Sequence, residues 1–148
     1  MVQITELPNG HLSTVSWDNT IKLWNSLDGT LIRTFGNDGL SKKTVLALFN
    51  SDLASGDSNS NIKIWDTYTG YLKYTLNGHT SIVNHFVQLQ NGDLVSCSND
   101  QTVKIWDLNN KVLKFTLYGH TGAIRVLTVL QNGYLASGSE DNSIIIWT

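Results

Sequence analysis

Apolar residues in this chain come in short runs broken by turn-forming residues, and the runs recur in a fixed order. Leu94-Val95-Ser96-Cys97-Ser98 leads into Thr102-Val103-Lys104-Ile105-Trp106, and then into Val112-Leu113-Lys114-Phe115-Thr116-Leu117. These runs are short, rich in β-branched and aromatic residues, and bounded by turn chemistry, which predicts strands. No segment sustains a helical period. Asn9-Gly10, Asn91-Gly92 and Asn132-Gly133 fall in register, with Asn50-Ser51 as a deviant copy. Asn-Gly between apolar runs predicts a type I′ hairpin, whose two central residues need positive φ. A second hairpin is expected at Asp18-Asn19, Asn59-Ser60, Asp100-Gln101 and Asp141-Asn142, and a third turn at Asp28-Gly29 and Thr69-Gly70. The only proline, Pro8, enters a turn.

The spacing is regular: Trp24, Trp65, Trp106 and Trp147 stand 41 residues apart in a chain of 148. Segments 66–106 and 107–147 share 18 identical positions. The chain therefore divides into a partial repeat over 1–24 and full 41-residue repeats over 25–65, 66–106 and 107–147. A period of this length implies one supersecondary unit copied several times. Met1 aligns with Ile124, so the strand count predicts three four-stranded units and one three-stranded unit, 15 strands in all. The expected fold is all-β.

Gly78-His79 followed by Trp106-Asp107 is the GH…WD pattern, and SNDQTVKIWD, GSEDNSIIIW, WDNTIKLW and SNSNIKIWD carry the same signature. Essentially the whole chain resembles the WD40 (WD-repeat) family. The resemblance implies β-propeller blades of four antiparallel strands around a channel, here about four blades, or half of a seven- or eight-bladed ring. Asn37-Asp38 replaces Gly-His, Trp24 is followed by Asn25, and Trp147 by Thr148. The family's structural turn aspartate maps to Asp18, Asp100 and Asp141, with Asn59 in the weakest copy.

Ser96, His79 and Asp100, and again Ser137, His120 and Asp141, have the residue types of a nucleophilic triad. The resemblance implies another role: with Trp106 and Trp147 they form hydrogen-bonded tetrads that tie a turn to the strands. Repetition argues the same way, because an enzyme rarely carries one triad per structural repeat. Ser55 with Asn59 and Asp38 is not expected to make this network, so that blade is expected to be weakest. His11 is expected at a solvated surface position, His85 as a strand histidine with no second metal ligand at suitable spacing, and Cys97 as an inert buried thiol. No phosphate-cradling glycine loop is present, and no cofactor is expected.

Composition narrows the partners. The net charge is −2, only 15% of residues are charged, and Lys42-Lys43 is the only basic run. Nucleic acid is therefore a poor partner. No apolar run approaches the roughly 20 residues needed to span a bilayer. A single cysteine and no secretory leader point to a reduced, intracellular, cytoplasmic setting.

In the resembled family, partners dock on a face built by the loop into the first strand and by the turn before the structural aspartate. The turn positions are Trp17, Ser58, Asn99 and Glu140; the strand positions are Ser41 and Lys43, Ile82 and Asn84, and Ala123 and Arg125. Trp17 is the one tryptophan outside the period, and tryptophan and arginine are enriched among binding hot spots. Packing of Trp17 on its own loop is the competing role. The expected function is a non-catalytic protein–protein interaction scaffold. The alternative is an enzyme or carbohydrate-binding propeller, for which only Glu140 and Trp17 stand near the mouth. An open array exposes a blade face at each end. Two chains pairing into an eight-bladed ring, a segment of a longer propeller, and a closed four-bladed ring are the arrangements left, and self-association is expected.

Overall fold

The computed structural model describes residues 3–16, 18–36 and 42–148, with only the backbone of Lys42 and Lys43. Trp17, Asp38 and Ser41, and the side chain of Lys43, lie outside the described residues. Fifteen strands and no helix occur among those described. They form two compact units, residues 1–77 and 78–148.

The first unit holds two four-stranded antiparallel sheets. One is β1 (Gln3–Glu6), β2 (Leu12–Val15), β3 (Ile21–Trp24) and β4 (Leu31–Phe35); the other is β5 (Lys42–Ala47), β6 (Leu53–Asp57), β7 (Ile62–Trp65) and β8 (Leu72–Leu76). The second unit holds a four-stranded sheet, β9 (Val83–Gln88), β10 (Leu94–Ser98), β11 (Val103–Asp107) and β12 (Val112–Leu117). Its other sheet has three strands, β13 (Ile124–Val129), β14 (Leu135–Ser139) and β15 (Ile144–Trp147). Strands follow chain order within each sheet, so every connection is a short hairpin.

Burial falls from the inner strands to the last. All five residues of β6 and of β10 are buried, whereas the first four of β12 are exposed. A strand buried on both faces needs apolar or small side chains throughout, which is what LASGD and LVSCS supply apart from Asp57. In the first unit Leu7, Val15, Ile21, Leu23, Phe35, Val45, Leu53 and Trp65 form one core. In the second, Val95, Cys97, Val103, Ile124, Leu127 and Leu135 do so. Adjacent sheets within a unit are stitched by a recurring bond. The Val45 N–H donates to Gln3 Oε1 at 3.0 Å, and 82 residues on the Leu127 N–H donates to His85 Nδ1 at 3.4 Å.

The Asn-Gly hairpins differ from the type I′ expectation. The Leu7 N–H bonds to His11 O and the Gly10 N–H to Leu7 O, which makes a three-residue loop. Only its last residue has positive φ: Gly10 (83°), Ser51 (67°), Gly92 (90°) and Gly133 (85°). This is a type I turn closed by a left-handed residue. The second hairpin has the same pair of bonds from Ser16, Asp57 and Ser139, and Asn19, Ser60, Gln101 and Asn142 are left-handed at 65–69°.

Candidate functional site

In the second unit the two repeated constellations are continuous hydrogen-bond chains. Trp106 Nε1–H donates to Ser96 Oγ at 2.8 Å, and Ser96 Oγ lies 2.7 Å from His79 Nε2. His79 Nδ1 lies 2.7 Å from Asp100 Oδ2. An ionised carboxylate can only accept, so Nδ1 carries the proton, Nε2 accepts from the serine hydroxyl, and that hydroxyl accepts from the indole. Every polar atom in the chain is thereby satisfied. The other copy runs Trp147 to Ser137 (2.9 Å), Ser137 to His120 (2.8 Å) and His120 to Asp141 (2.8 Å).

Asp100 also receives the Thr80 N–H at 3.0 Å, the Thr102 N–H at 3.0 Å and the Thr102 hydroxyl at 2.7 Å. Burial alone pushes its carboxyl upward, but the bonds from His79, Thr102 and Thr80 outweigh that and hold it well below the usual carboxylate range. For Asp141 the Ser143 hydroxyl is the largest influence, and it too lies well below that range. Both carboxylates are therefore charged acceptors that fasten a turn. The glycine before each histidine has a packing reason: a Cβ on Gly78 would sit 2.9 Å from the Trp106 ring, and one on Gly119 3.3 Å from Trp147.

The order Ser–His–Asp matches that of a nucleophilic triad, yet the serine is misplaced for such chemistry. Ser96 has no exposed surface and Ser137 only 2%. Each hydroxyl is also engaged by an indole N–H, which withdraws the electron density that a nucleophile needs.

The first unit keeps part of this design. Trp65 Nε1–H donates to Ser55 Oγ at 2.9 Å and Trp24 Nε1–H to Thr14 Oγ1 at 2.9 Å, in the same ten-residue relation. Phe35 meets the Trp65 ring edge-on at 6.5 Å. The turn carboxylate here is Asp57 rather than the position of Asn59. Its Oδ1 accepts the Asn59 N–H at 2.9 Å and the Asn61 N–H at 3.0 Å, and Lys63 Nζ stands 3.3 Å from Oδ2. Asp57 aligns with Ser98 and Ser139, whose hydroxyls accept the N–H of Asp100 and Asp141. In the other sheet, Asp18 takes the hydroxyl and N–H of Thr20 and the Lys22 ammonium, which lower its pKa to about 2.

The partner-face positions of the second unit meet in one polar cluster. The Asn99 N–H donates to Ile82 O and the Glu140 N–H to Ala123 O, both at 2.9 Å, so each turn is clasped to the loop before its first strand. Asn84 Nδ2 donates to Asn99 Oδ1 and to Ile124 O, both at 2.8 Å. Arg125 Nη1 bridges the sheets, donating to Asn99 Oδ1 at 2.7 Å and to Asn84 Oδ1 at 3.2 Å. Its Nε and Nη2 donate to Glu140 Oε1 at 2.9 and 2.6 Å. Ser58, in the first unit, stands exposed on its turn.

His85 is half-buried, and burial lowers its pKa. His11 is half-buried rather than solvated, and its Nδ1 is enclosed. The Cys97 thiol is buried and pushed up to about 12, chiefly by desolvation. No group of three or more His, Cys, Asp or Glu suited to a metal occurs among the described residues. A groove of about 510 Å³ in the second unit is lined by Leu89, Ile105, Phe115, Leu117, Tyr134, Ile146 and Trp147 among others, none of them acidic, histidine or serine.

Short antiparallel sheets in chain order, each pinned at one hairpin by a turn carboxylate and at one face by a Trp–hydroxyl bond, define the blades of a repeat propeller. The WD40 profile (WD domain, G-beta repeat) matches residues 4–25, 70–107 and 111–148, about two thirds of the length, and the chain belongs to the WD40 family. No curated protein matches the chain. Among solved structures it is similar to the crystal structure of the WD40 beta propeller domain of Doa1, at 31% identity and a TM-score of 0.88. That similarity covers all of this chain and 50% of the other, so the chain spans half the length of that propeller chain.

Proposed function

We propose that this chain is a non-catalytic protein–protein interaction platform. The observation that carries this reading is the cluster of Asn84, Asn99, Arg125 and Glu140, a preorganised polar patch at the blade turns, with Arg125 and Glu140 half exposed. Backbone bonds already clasp those turns, so the side chains remain available to a partner. Family membership supports the reading as well. The enzyme alternative has less behind it: the serines of the two triad-like chains are enclosed, and the groove lining is mostly apolar, with no acidic, histidine or serine side chain. The carbohydrate alternative rests on Glu140, which Arg125 engages, and on Trp17, which lies outside the described residues.

The test is affinity capture with the folded chain and with Arg125→Ala and Asn99→Ala. Loss of the same captured proteins from both variants is expected; unchanged capture removes the face. A reducing intracellular setting fits the single enclosed thiol. Exposed apolar side chains on the last strands, Phe115 and Ile144 among them, support the further reading that copies self-associate. A monomeric mass by light scattering at micromolar concentration would remove that part.

A further inference from the structure

We propose that Arg125 recognises a carboxylate on the partner, and that Glu140 occupies the recognition edge until the partner displaces it. The inference deepens the platform reading and rests on it.

The guanidinium has two edges in different states. Both Nη1 hydrogens go to amide oxygens, Asn99 Oδ1 at 2.7 Å and Asn84 Oδ1 at 3.2 Å. Asn84 is itself anchored to Asn99 and to the Ile124 carbonyl. That edge is fixed. The Nε–Nη2 edge instead meets one oxygen of Glu140, Oε1, with both N–H groups converging on it. The strongest guanidinium–carboxylate pairing puts one N–H on each oxygen, two parallel bonds in one plane. Glu140 therefore makes a single-oxygen version of a fork that has room for a better one. The pair is also solvent-accessible, with the side chains 47% and 55% exposed, and exposed pairs are weakly held.

The repeat supplies an internal control. Asn84 and Asn99 occupy in one blade the positions that Arg125 and Glu140 occupy in the next, 41 residues on. Two neutral amides hold the earlier turn, and both turns keep the same backbone clasp, Asn99 to Ile82 and Glu140 to Ala123. The charged pair is thus surplus to what the architecture requires. A partner Asp, Glu or C-terminal carboxylate that offers both oxygens to Nε and Nη2 would exchange with Glu140, which then returns to water without leaving a buried charge behind. The fixed Nη1 edge means that the arginine is already ordered before binding, so little of its side-chain freedom is lost on contact.

The experiment titrates the intact chain at about 0.15 M salt, where non-specific attraction is screened beyond roughly 8 Å. The probes are acetyl-Glu-Glu-Glu-amide, with the Gln and Lys tripeptides as controls. The readout is the Nε–Hε NMR resonance of Arg125, assigned by its disappearance in Arg125→Lys. A saturable shift with the Glu peptide alone is expected. Glu140→Ala should tighten binding roughly two- to five-fold by removing the competitor, and Glu140→Gln should act in the same direction. Arg125→Lys keeps the charge but not the fork; followed by the Glu140 backbone amide, its binding should be weaker by at least about tenfold while the rest of the backbone spectrum stays folded. No shift in either wild type or Glu140→Ala, equal shifts from the Gln or Lys peptides, or weaker binding on Glu140→Ala would each overturn the proposal. If captured proteins still depend on Arg125 and Asn99 while the acidic probe fails, only carboxylate recognition falls and the platform reading stands.

Discussion

Replacing Ser96 by alanine removes one hydroxyl and orphans two buried groups. Ser96 Oγ accepts from the Trp106 indole and donates to His79 Nε2, and Trp106, His79 and Ser96 are 1%, 7% and 0% exposed. Neither orphan reaches water without a break in the packing. At about 1–3 kcal/mol for each unsatisfied buried group, the loss is about 2–4 kcal/mol after partial relaxation. The matching change in the first unit, Ser55→Ala, orphans only the Trp65 indole among the described residues and should cost about 1–2 kcal/mol. For a chain of this size about 3 kcal/mol lowers the melting temperature by roughly 6–12 °C. Urea unfolding should be followed by tryptophan fluorescence and, because repeat units often unfold separately, by amide exchange within β10 and β11. A cycle combining Ser96→Ala with His79→Ala should recover about 1–2 kcal/mol of coupling. Equal losses at Ser96 and Ser55, or additive losses in the cycle, would refute the linked chain of donors and acceptors.

Asp100, Asp141 and Asp18 have pKa values lowered in the folded state, so their stabilisation is full above the unfolded value of about 4 and is lost as pH falls below it. Unfolding should therefore set in between about pH 4 and pH 2, and Asp100→Asn should lower stability at pH 7 while flattening the acid limb; an unchanged limb would contradict this. Cys97, with its thiol near 12, should resist a thiol reagent at pH 8 in the folded chain and react promptly in urea, and fast labelling of folded protein would contradict its enclosure. Gly122→Ala places a Cβ 2.7 Å from the Asp141 backbone nitrogen, where nothing flexible can yield. It should cost about 1–3 kcal/mol in unfolding measurements, and a neutral result would show that the turn shifts freely.

The fold was legible because runs of four to six residues rich in β-branched and aromatic side chains are bounded by turn residues, and the tryptophans mark their repetition. Loop conformation was less so: Asn9-Gly10 reads as a two-residue turn, and only the Leu7–His11 bond reveals three residues in the loop. The turn carboxylate of the second sheet escaped a strict 41-residue alignment. Asp57 stands two positions before Asn59, where the other copies have a serine, and it accepts both the N–H that Ser98 takes in the next copy and the one that Asp100 takes from Thr102. The signal was present in the Asp57-Ser58-Asn59 sequence, an acidic residue heading a turn whose N–H groups need an acceptor. The polar cluster was legible as a set of positions but not as a network. Arg125 reaches across 41 residues to Asn84 and back to Glu140, and the direction of a long side chain is set by neighbours that alignment does not show.

The proposed platform meets its partners at the turns around Asn99, Arg125 and Glu140, and not through its enclosed serines or the last strand of a sheet. A photo-crosslinking residue placed at Glu140, which is exposed, with the same residue at Leu113 on β12 as comparison, distinguishes these in the native cell. Discrete crosslinked proteins are expected from position 140, vanishing in an Arg125→Ala background and not shared with position 113. The same proteins captured equally from both positions, or from position 113 alone, would contradict it.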